Sequence, residues 1–210
     1  MNRTAKRPLL TSLLAAVTGL LGLSLQGIGV AQTAAPAGGY RLLQGAIDVH
    51  FHIDPDVSDT RSVDAATIER MKFARTQGLR GMVIKNHYET TAAIAYLIRK
   101  EIPGIDAFGG VALNRNQGGI NLAFVEYMAT QMKGKPGMMV WMPTYDSENA
   151  VKRSDQPNRP FVKVAENGDL LPEVKQMIGL IAKHGLVLAT GHLSPDQGLM
   201  VVREGRRQGV

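Results

Sequence analysis

Apolar residues along this chain gather into short continuous runs, separated by stretches in which they recur every third or fourth position. The runs Ala46–Phe51, Arg80–Lys85, Ile105–Leu113, Met138–Met142 and Leu186–Thr190 each predict a core strand, because a strand covered on both faces reads as near-continuous apolar sequence. The stretches between them predict helices. Ile68, Met71 and Ala74 share one face of a helix near 64–77, closed by Gly78. Thr90 or Thr91 caps the next, which carries Ile94, Leu97 and Ile98 and ends before Pro103-Gly104. A third, near 120–132, buries Leu122, Val125, Met128 and Ala129. Pro172 suits the first position of a helix carrying Val174, Ile178 and Ile181. Ser194-Pro195 opens the last, with Leu199 and Val202 inward and Gly209 as its stop.

Residues 146–171 break this rhythm. The stretch 154–160 reads as a loop, and Phe161–Ala165 and Leu170-Leu171 flank Asn167-Gly168, a dipeptide that favours positive φ turns, so a β-hairpin is expected there. Strand–helix alternation with apolar strands argues an α/β fold with a parallel sheet. Polar residues cluster just after the strands, as at the carboxyl face of a (β/α)8 TIM barrel. Such barrels typically need about 250 residues, so the expectation is a TIM-barrel-like chain carrying about five βα units, with further strands beyond Val210. An open doubly wound sheet of five strands is the alternative.

The first 31 residues stand apart from this pattern. Arg3, Lys6 and Arg7 precede a nearly uncharged run from Leu9 to Val30, and small residues follow at Ala31, Ala34 and Ala35. A charged start, apolar middle and small-residue exit is the grammar of a secretory signal, without the paired arginines of the twin-arginine route. Residues 1–31 are expected to be a signal peptide, 32–44 a linker and 45–210 the folded domain. Export to the periplasm or the medium follows, or an N-terminal membrane anchor if the signal is not cleaved. The three basic residues of that segment supply half of the chain's net charge of +6, and the remainder is too mildly basic to argue for nucleic acid binding. No cysteine is present, so an exported chain draws its stability from an ordinary core.

Each core strand delivers polar residues at its end. The first gives His50 and His52, which alternate on one strand face about 7 Å apart along the chain, a half-site for a divalent metal. Asp48, Asp54 and Asp56 crowd the same positions. The second strand gives Lys85, Asn86 and His87; the third Asn114, Arg115 and Asn116; the fourth Thr144, Tyr145 and Asp146; the fifth His192. Only His184 among the five histidines lies elsewhere, in the last turn of a helix, where a cation is favoured. Gly109-Gly110 and Gly118-Gly119 lack the spacing of a phosphate-binding motif and read as backbone crowding. The methionines read as core packing.

Asp48-Val-His-Phe-His52, Val83-Ile-Lys-Asn-His87 and Thr190-Gly-His-Leu-Ser-Pro195 together resemble the amidohydrolase superfamily. More narrowly, the chain is similar to an uncharacterised amidohydrolase-related group whose first-strand motif continues His-Ile-Asp-Pro-Asp, here His52–Asp56. The resemblance covers residues 45–210. It implies a (β/α)8 barrel with a mono- or binuclear metal centre at its carboxyl face. His50 and His52 match the first-strand ligands, and His192 a ligand from the middle strands. His87 becomes a further ligand or a substrate contact. Lys85 is a substrate contact, a carboxylated bridge between two metals, or a lysine snorkelling from a strand end. The histidine and the proton-moving aspartate that the superfamily carries on its later strands would lie beyond Val210.

Imidazole donors suit zinc, iron, manganese or nickel without separating them, and zinc is the first expectation. A metal with an open position activates water and polarises a carbonyl, so hydrolysis of a small-molecule amide, lactone or other ester is the expected reaction. Lys85, Asn114, Arg115, Asn116 and Tyr145, and more remotely Arg61, are the candidate substrate contacts. A metal-dependent decarboxylase, a His-x-His phosphoesterase and a non-catalytic metal-binding remnant are the competing expectations. The expected partner is a small molecule, with no nucleic acid, no membrane once the signal is removed, and room for a homo-oligomer.

Overall fold

Five strands lie side by side in the order in which they occur along the chain. In the computed structural model, which describes residues 40–53, 65–131 and 138–210, these are β1 (Ile47–His52), β2 (Gly81–Lys85), β3 (Asp106–Ala112), β4 (Met138–Trp141) and β7 (Val187–Ala189). All four neighbouring pairs are parallel. Helices α1 (Ala65–Thr76), α2 (Ala92–Glu101) and α3 (Leu122–Gln131) follow the first three strands. Between β4 and β7 come α4 (Glu148–Lys152), the β5–β6 hairpin (Ala165–Glu166, Asp169–Leu170) and α5 (Pro172–Lys183), and α6 (Pro195–Gln208) follows β7.

The order decides between the two expected folds. A doubly wound sheet must reverse its strand order to place helices on both faces. Here the order never reverses, and crossovers of one hand that always step the same way stack their helices on one face. The parallel sheet accordingly curls into a half-barrel, the α/β architecture of a TIM-like barrel over the five βα units described. The described residues lie within one unit, Pro36–Val210. The signal-like segment lies outside them, as do Asp54, Asp56 and Arg61.

Core composition follows from the curl. On the helix side, Met82 and Ile84 of β2 pack with Met71 of α1 and Ile98 of α2. Further round, Val111, Leu113, Val140 and Met142 pack with Val125 and Met128 of α3 and with Val174, Met177, Ile178 and Ile181 of α5. The inner face carries its own apolar layer, drawn from strands alone: Val83, Ala112 and Trp141, flanked by Phe108, Met139 and Ala189. Beyond this layer, at the carboxyl ends of the strands, the inner face turns polar.

Several helix ends form where the local chemistry dictates. Ser194 caps α6 in a full capping box with Gln197, Pro195 occupies its first turn, and Gly209 ends it at φ 86°. Pro172 opens α5. Thr91 is the N-cap residue of α2 but makes no side-chain cap bond. Its hydroxyl instead donates to Ile84 O (2.6 Å) and accepts from Gly110 N (2.9 Å), tying the start of the helix to β2 and β3.

Three expectations change. Leu199 and Val202 are exposed on α6, which turns Val201 and Gly205 inward, because the small Gly205 lets the helix approach Leu188 of β7. Leu97 is likewise exposed, and α2 buries the small residues Ala92 and Ala95 together with the expected Ile98. The hairpin is shorter than its sequence suggests. Asn167 (φ 51°) and Gly168 (φ 80°) make the turn, but Val162 leaves the hairpin to bridge Ser147, while Ser147 caps the unforeseen short helix α4. Gly109 and Gly110 do answer to crowding. A Cβ at Gly109 would lie 2.5 Å from Ala92 Cα, and one at Gly110 would lie 2.2 Å from Met139 O.

Candidate metal and substrate site

A bulge near the end of β1 shapes the first half of the site. Asp48 pairs with Met82 and Phe51 with Ile84, so β1 holds one residue more than β2 over that interval. Asp48 Oδ1 accepts from His50 N (2.9 Å) inside the bulge. The consequence is that Val49 and His50 both line the inner pocket, while Phe51 packs on the helix side. His52 continues on the inner face, and the Nε2 atoms of His50 and His52 stand 3.0 Å apart. Two ligands on one tetrahedral zinc at about 2.0–2.1 Å would be about 3.3 Å apart, so this pair fits the edge of a metal site.

The remaining imidazoles continue from that pair. Ring centroids are 5.0 Å apart for His52 and His87, and 5.3 Å for His87 and His192. Tyr145 touches both, tilted against His87 with centroids 4.2 Å apart and edge-on to His192 at 5.2 Å. Among the described residues no group of three or more His, Asp or Glu side chains converges as a metal cage. What fits a divalent metal is the donor chemistry of one edge, the two Nε2 atoms of His50 and His52, with the rings of His87 and His192 further along the row. Partial desolvation of its ring lowers the pKa of the otherwise exposed His50 below its usual 6.5, the nearby Lys85 and His52 lower it further, and Asp48 opposes them. A lowered pKa keeps the ring neutral, the form in which an imidazole binds metal.

That cause has a direct test. In chelator-treated protein the His50 ring is expected to titrate below 6.5, and Lys85→Met is expected to raise its midpoint, as followed by the ring proton shifts in NMR. A His50 midpoint that Lys85→Met leaves in place would show that the field of Lys85 does not reach the ring.

His192 owes its position to backbone contacts. Its N–H donates to Pro143 O (3.0 Å), and its carbonyl accepts from Ser147 Oγ (2.8 Å) and Asn149 Nδ2 (3.0 Å) at the start of α4. Gly191 makes this possible at φ 60°, since a Cβ there would lie 2.1 Å from Met142 O and 2.6 Å from Pro143 O. Gly191→Ala is thus expected to push His192 off the end of β4. The left-handed backbone alone costs about 1–2 kcal/mol, so the melting temperature should fall by at least about 2–4 °C, alongside a drop in bound metal. Thermal unfolding and metal analysis of the variant check both.

Beneath the histidines lies a buried polar layer. Lys85, Asn86, His87, Asn114 and Thr144 are all buried. Lys85 Nζ stands 3.1 and 3.0 Å from Nδ1 and Nε2 of His87, and His87 Nδ1 stands 2.7 Å from Thr144 Oγ1. One proton arrangement satisfies these contacts: neutral His87 donates from Nδ1 to Thr144 and accepts from Lys85 at Nε2. In that arrangement His87 holds Lys85 in place. Asn114 joins the layer together, donating to His87 O (2.8 Å) and Thr144 Oγ1 (2.7 Å) and accepting from Thr144 N (2.8 Å) and Asp146 N (3.2 Å).

The candidate substrate contacts therefore separate. Lys85 lines a pocket of about 240 Å³ together with His50, His192, Thr144, Thr190 and Trp141. Tyr145 stands over the histidine rings at the pocket's side. Asn114 is an internal tie. Arg115 is exposed and meets the site through its backbone, whose N–H donates to Asp146 Oδ2 (2.9 Å). The Asn116 amide bonds Tyr88 O, away from the pocket lining. Asp146 pairs with Arg159, which also bonds Tyr145 O and so steadies the loop under the Tyr145 ring. His184 ends α5 and meets Glu126 Oε2 at 2.8 Å, far in role from the other histidines.

Trp141, Thr144 and Thr190 join the site without having been singled out as contacts. Period-two alternation along β4 was the available signal for Trp141, since it puts Met139 and Trp141 on one face. Neither the curated proteins nor the solved structures contain a match to this chain. A family of unknown function, DUF6282, matches residues 45–210, essentially the whole of the described fold, and the chain belongs to that family.

Proposed function

We propose that this protein is a metal-dependent hydrolase of the amidohydrolase type, acting on a small-molecule amide, lactone or other ester. The observation that carries the reading is the His50–His52 pair, its Nε2 atoms 3.0 Å apart at the carboxyl end of β1, with the His87 ring 5.0 Å from His52 and the His192 ring 5.3 Å from His87. His50, His52 and His192 would hold the metal, zinc being the first choice for imidazole donors. When bound, the metal supplies an activated water and a Lewis acid for the scissile carbonyl. The chain's own part is to keep the His50 ring neutral, to orient the substrate from Lys85, Thr144 and Tyr145, and to close the pocket floor with Trp141. The signal-like N-terminus supports export, and among the described residues no helix is long and apolar enough to cross a membrane.

A metal-dependent decarboxylase is the second reading, favoured by the buried cation Lys85 in the pocket wall. The test is metal analysis of the purified full chain, followed by a screen of lactones, aryl esters and amides with carbon dioxide release monitored in parallel. A bound transition metal and chelator-sensitive hydrolysis are expected. Absence of any transition metal, after reconstitution with zinc or manganese, sinks both readings; carbon dioxide release without hydrolysis selects the second.

A further inference from the structure

Helix α4 is an addition to the βα repeat, set between β4 and the β5–β6 hairpin. It is five residues long and buries one of them, Val151. A helix that short is marginal on its own. Yet two side chains at its start converge on a single acceptor, the His192 carbonyl. Ser147 Oγ donates to it at 2.8 Å and Asn149 Nδ2 at 3.0 Å. A carbonyl oxygen has two lone pairs, and these two donors fill both. A further tie crosses the same turn, because Gln197 Nε2 of α6 donates to Glu148 Oε2 of α4 (3.3 Å).

These bonds fix more than a loop. The His192 N–H belongs to the peptide plane before its Cα, and the carbonyl to the plane after it. The first plane is bonded to Pro143 O just past β4, the second to Ser147 and Asn149. With both planes held, the two soft dihedrals of His192 are set, and so is the direction of its Cα–Cβ bond. The ring so directed stands edge-on to Tyr145, which lies two residues before Ser147. We infer that Ser147 and Asn149 are positioning residues: the start of α4 is a clamp that aims the His192 imidazole into the histidine row and so sets the affinity of the metal site. The consequence for metal rests on the hydrolytic reading, in which His192 is a ligand, but the aim of the ring does not. In the opposite case the carbonyl merely steadies α4, and the ring stays where it is when a donor is lost.

Three variants of the full chain separate the two cases. Ser147→Ala and Asn149→Ala each remove one donor from the carbonyl. Asn149 is half-buried beside a cavity of about 340 Å³, so its truncation leaves no sealed hole. Val151→Ala weakens α4 from its buried side and keeps both donors. The His192 ring protons, assigned by their absence in His192→Ala, are followed by NMR in metal-free protein, where the Tyr145 ring beside them makes their shifts sensitive to displacement. Zinc affinity is measured by competition with a chromophoric chelator. Ser147→Ala and Asn149→Ala are expected to displace the His192 resonances and to lower zinc affinity roughly tenfold to a hundredfold, as for other groups that orient a metal ligand. Val151→Ala should lower the melting temperature and change neither. Unmoved resonances in the donor variants, zinc affinity that they leave intact, or equal effects from Val151→Ala overturn the proposal. If Ser147→Ala, which also loses the cap bond from Ala150 N, does not fold, Asn149→Ala decides alone. Displaced resonances in a protein whose unaltered chain binds no zinc leave the clamp standing and remove the metal-dependent hydrolase. Zinc binding and hydrolysis with unmoved resonances do the reverse.

Discussion

His50→Ala is expected to empty the metal edge and to lower any chelator-sensitive activity by more than about a hundredfold. The size follows from comparison with residues one step removed: losing a group that merely orients a ligand costs 10–100-fold in affinity or activity, and His50 would bind directly. Its ring is one of the two whose Nε2 atoms stand 3.0 Å apart. Removing it takes away one of the two nitrogens that form the edge of the proposed tetrahedral site. The fold should survive. His50 is exposed and belongs to neither helix-side cluster, so the substitution creates no core cavity. Metal content by mass spectrometry, read beside circular dichroism, therefore separates a lost site from a lost fold. His192→Ala is expected to give the same metal loss, with a small further cost in stability. Unchanged metal content in both variants would remove the assignment of the centre to these strand ends.

Much of this arrangement was legible in the sequence for a simple reason. Strands covered on both sides read as apolar runs, and the five runs match β1, β2, β3, β4 and β7 within a residue or two at each end. Chemistry at the ends of such strands can be read because it follows the last apolar residue, as His50, Lys85, Asn114, Thr144 and His192 do. The direction of the helix faces was less legible. Leu97, Leu199 and Val202 are large and apolar, yet the buried positions are Ala92, Ala95 and Ile98 on α2 and Val201 and Gly205 on α6, where Gly205 admits the close approach of Leu188. Strand order was legible only as two alternatives, since local pattern does not encode which neighbour a strand takes. The β1 bulge left no signature either, because Asp48-Val49-His50 reads like any alternating strand until its register with β2 is known.

The roles of the polar residues were the least legible, and Asn114 shows why. From sequence it stands beside Arg115 and Asn116 as one of three equivalent loop-end contacts. In the fold its single side chain makes four hydrogen bonds, to the ends of β2 and β4, from a position 2% exposed. Asn114→Ala is expected to destabilise the domain by about 3–5 kcal/mol, because each buried partner left unsatisfied costs about 1–3 kcal/mol. The partners left without a bond are His87 O and Thr144 N, whereas Thr144 Oγ1 keeps its contact with His87 Nδ1. Asn114→Asp tests the same tie from the other side. It keeps the acceptor for Thr144 N and Asp146 N but turns the donor to His87 O into a second acceptor, which sets two oxygens against each other. Chemical denaturation should place Asn114→Asp at least as low as Asn114→Ala at neutral pH. It should recover as pH falls through the pKa of the introduced carboxyl group, when the protonated acid can again donate. A loss under about 1 kcal/mol for Asn114→Ala would mean that water replaces all four bonds. The ends of β2 and β4 would then be held by the sheet alone, and Lys85, His87 and Thr144 would owe their closeness to the curl of the strands.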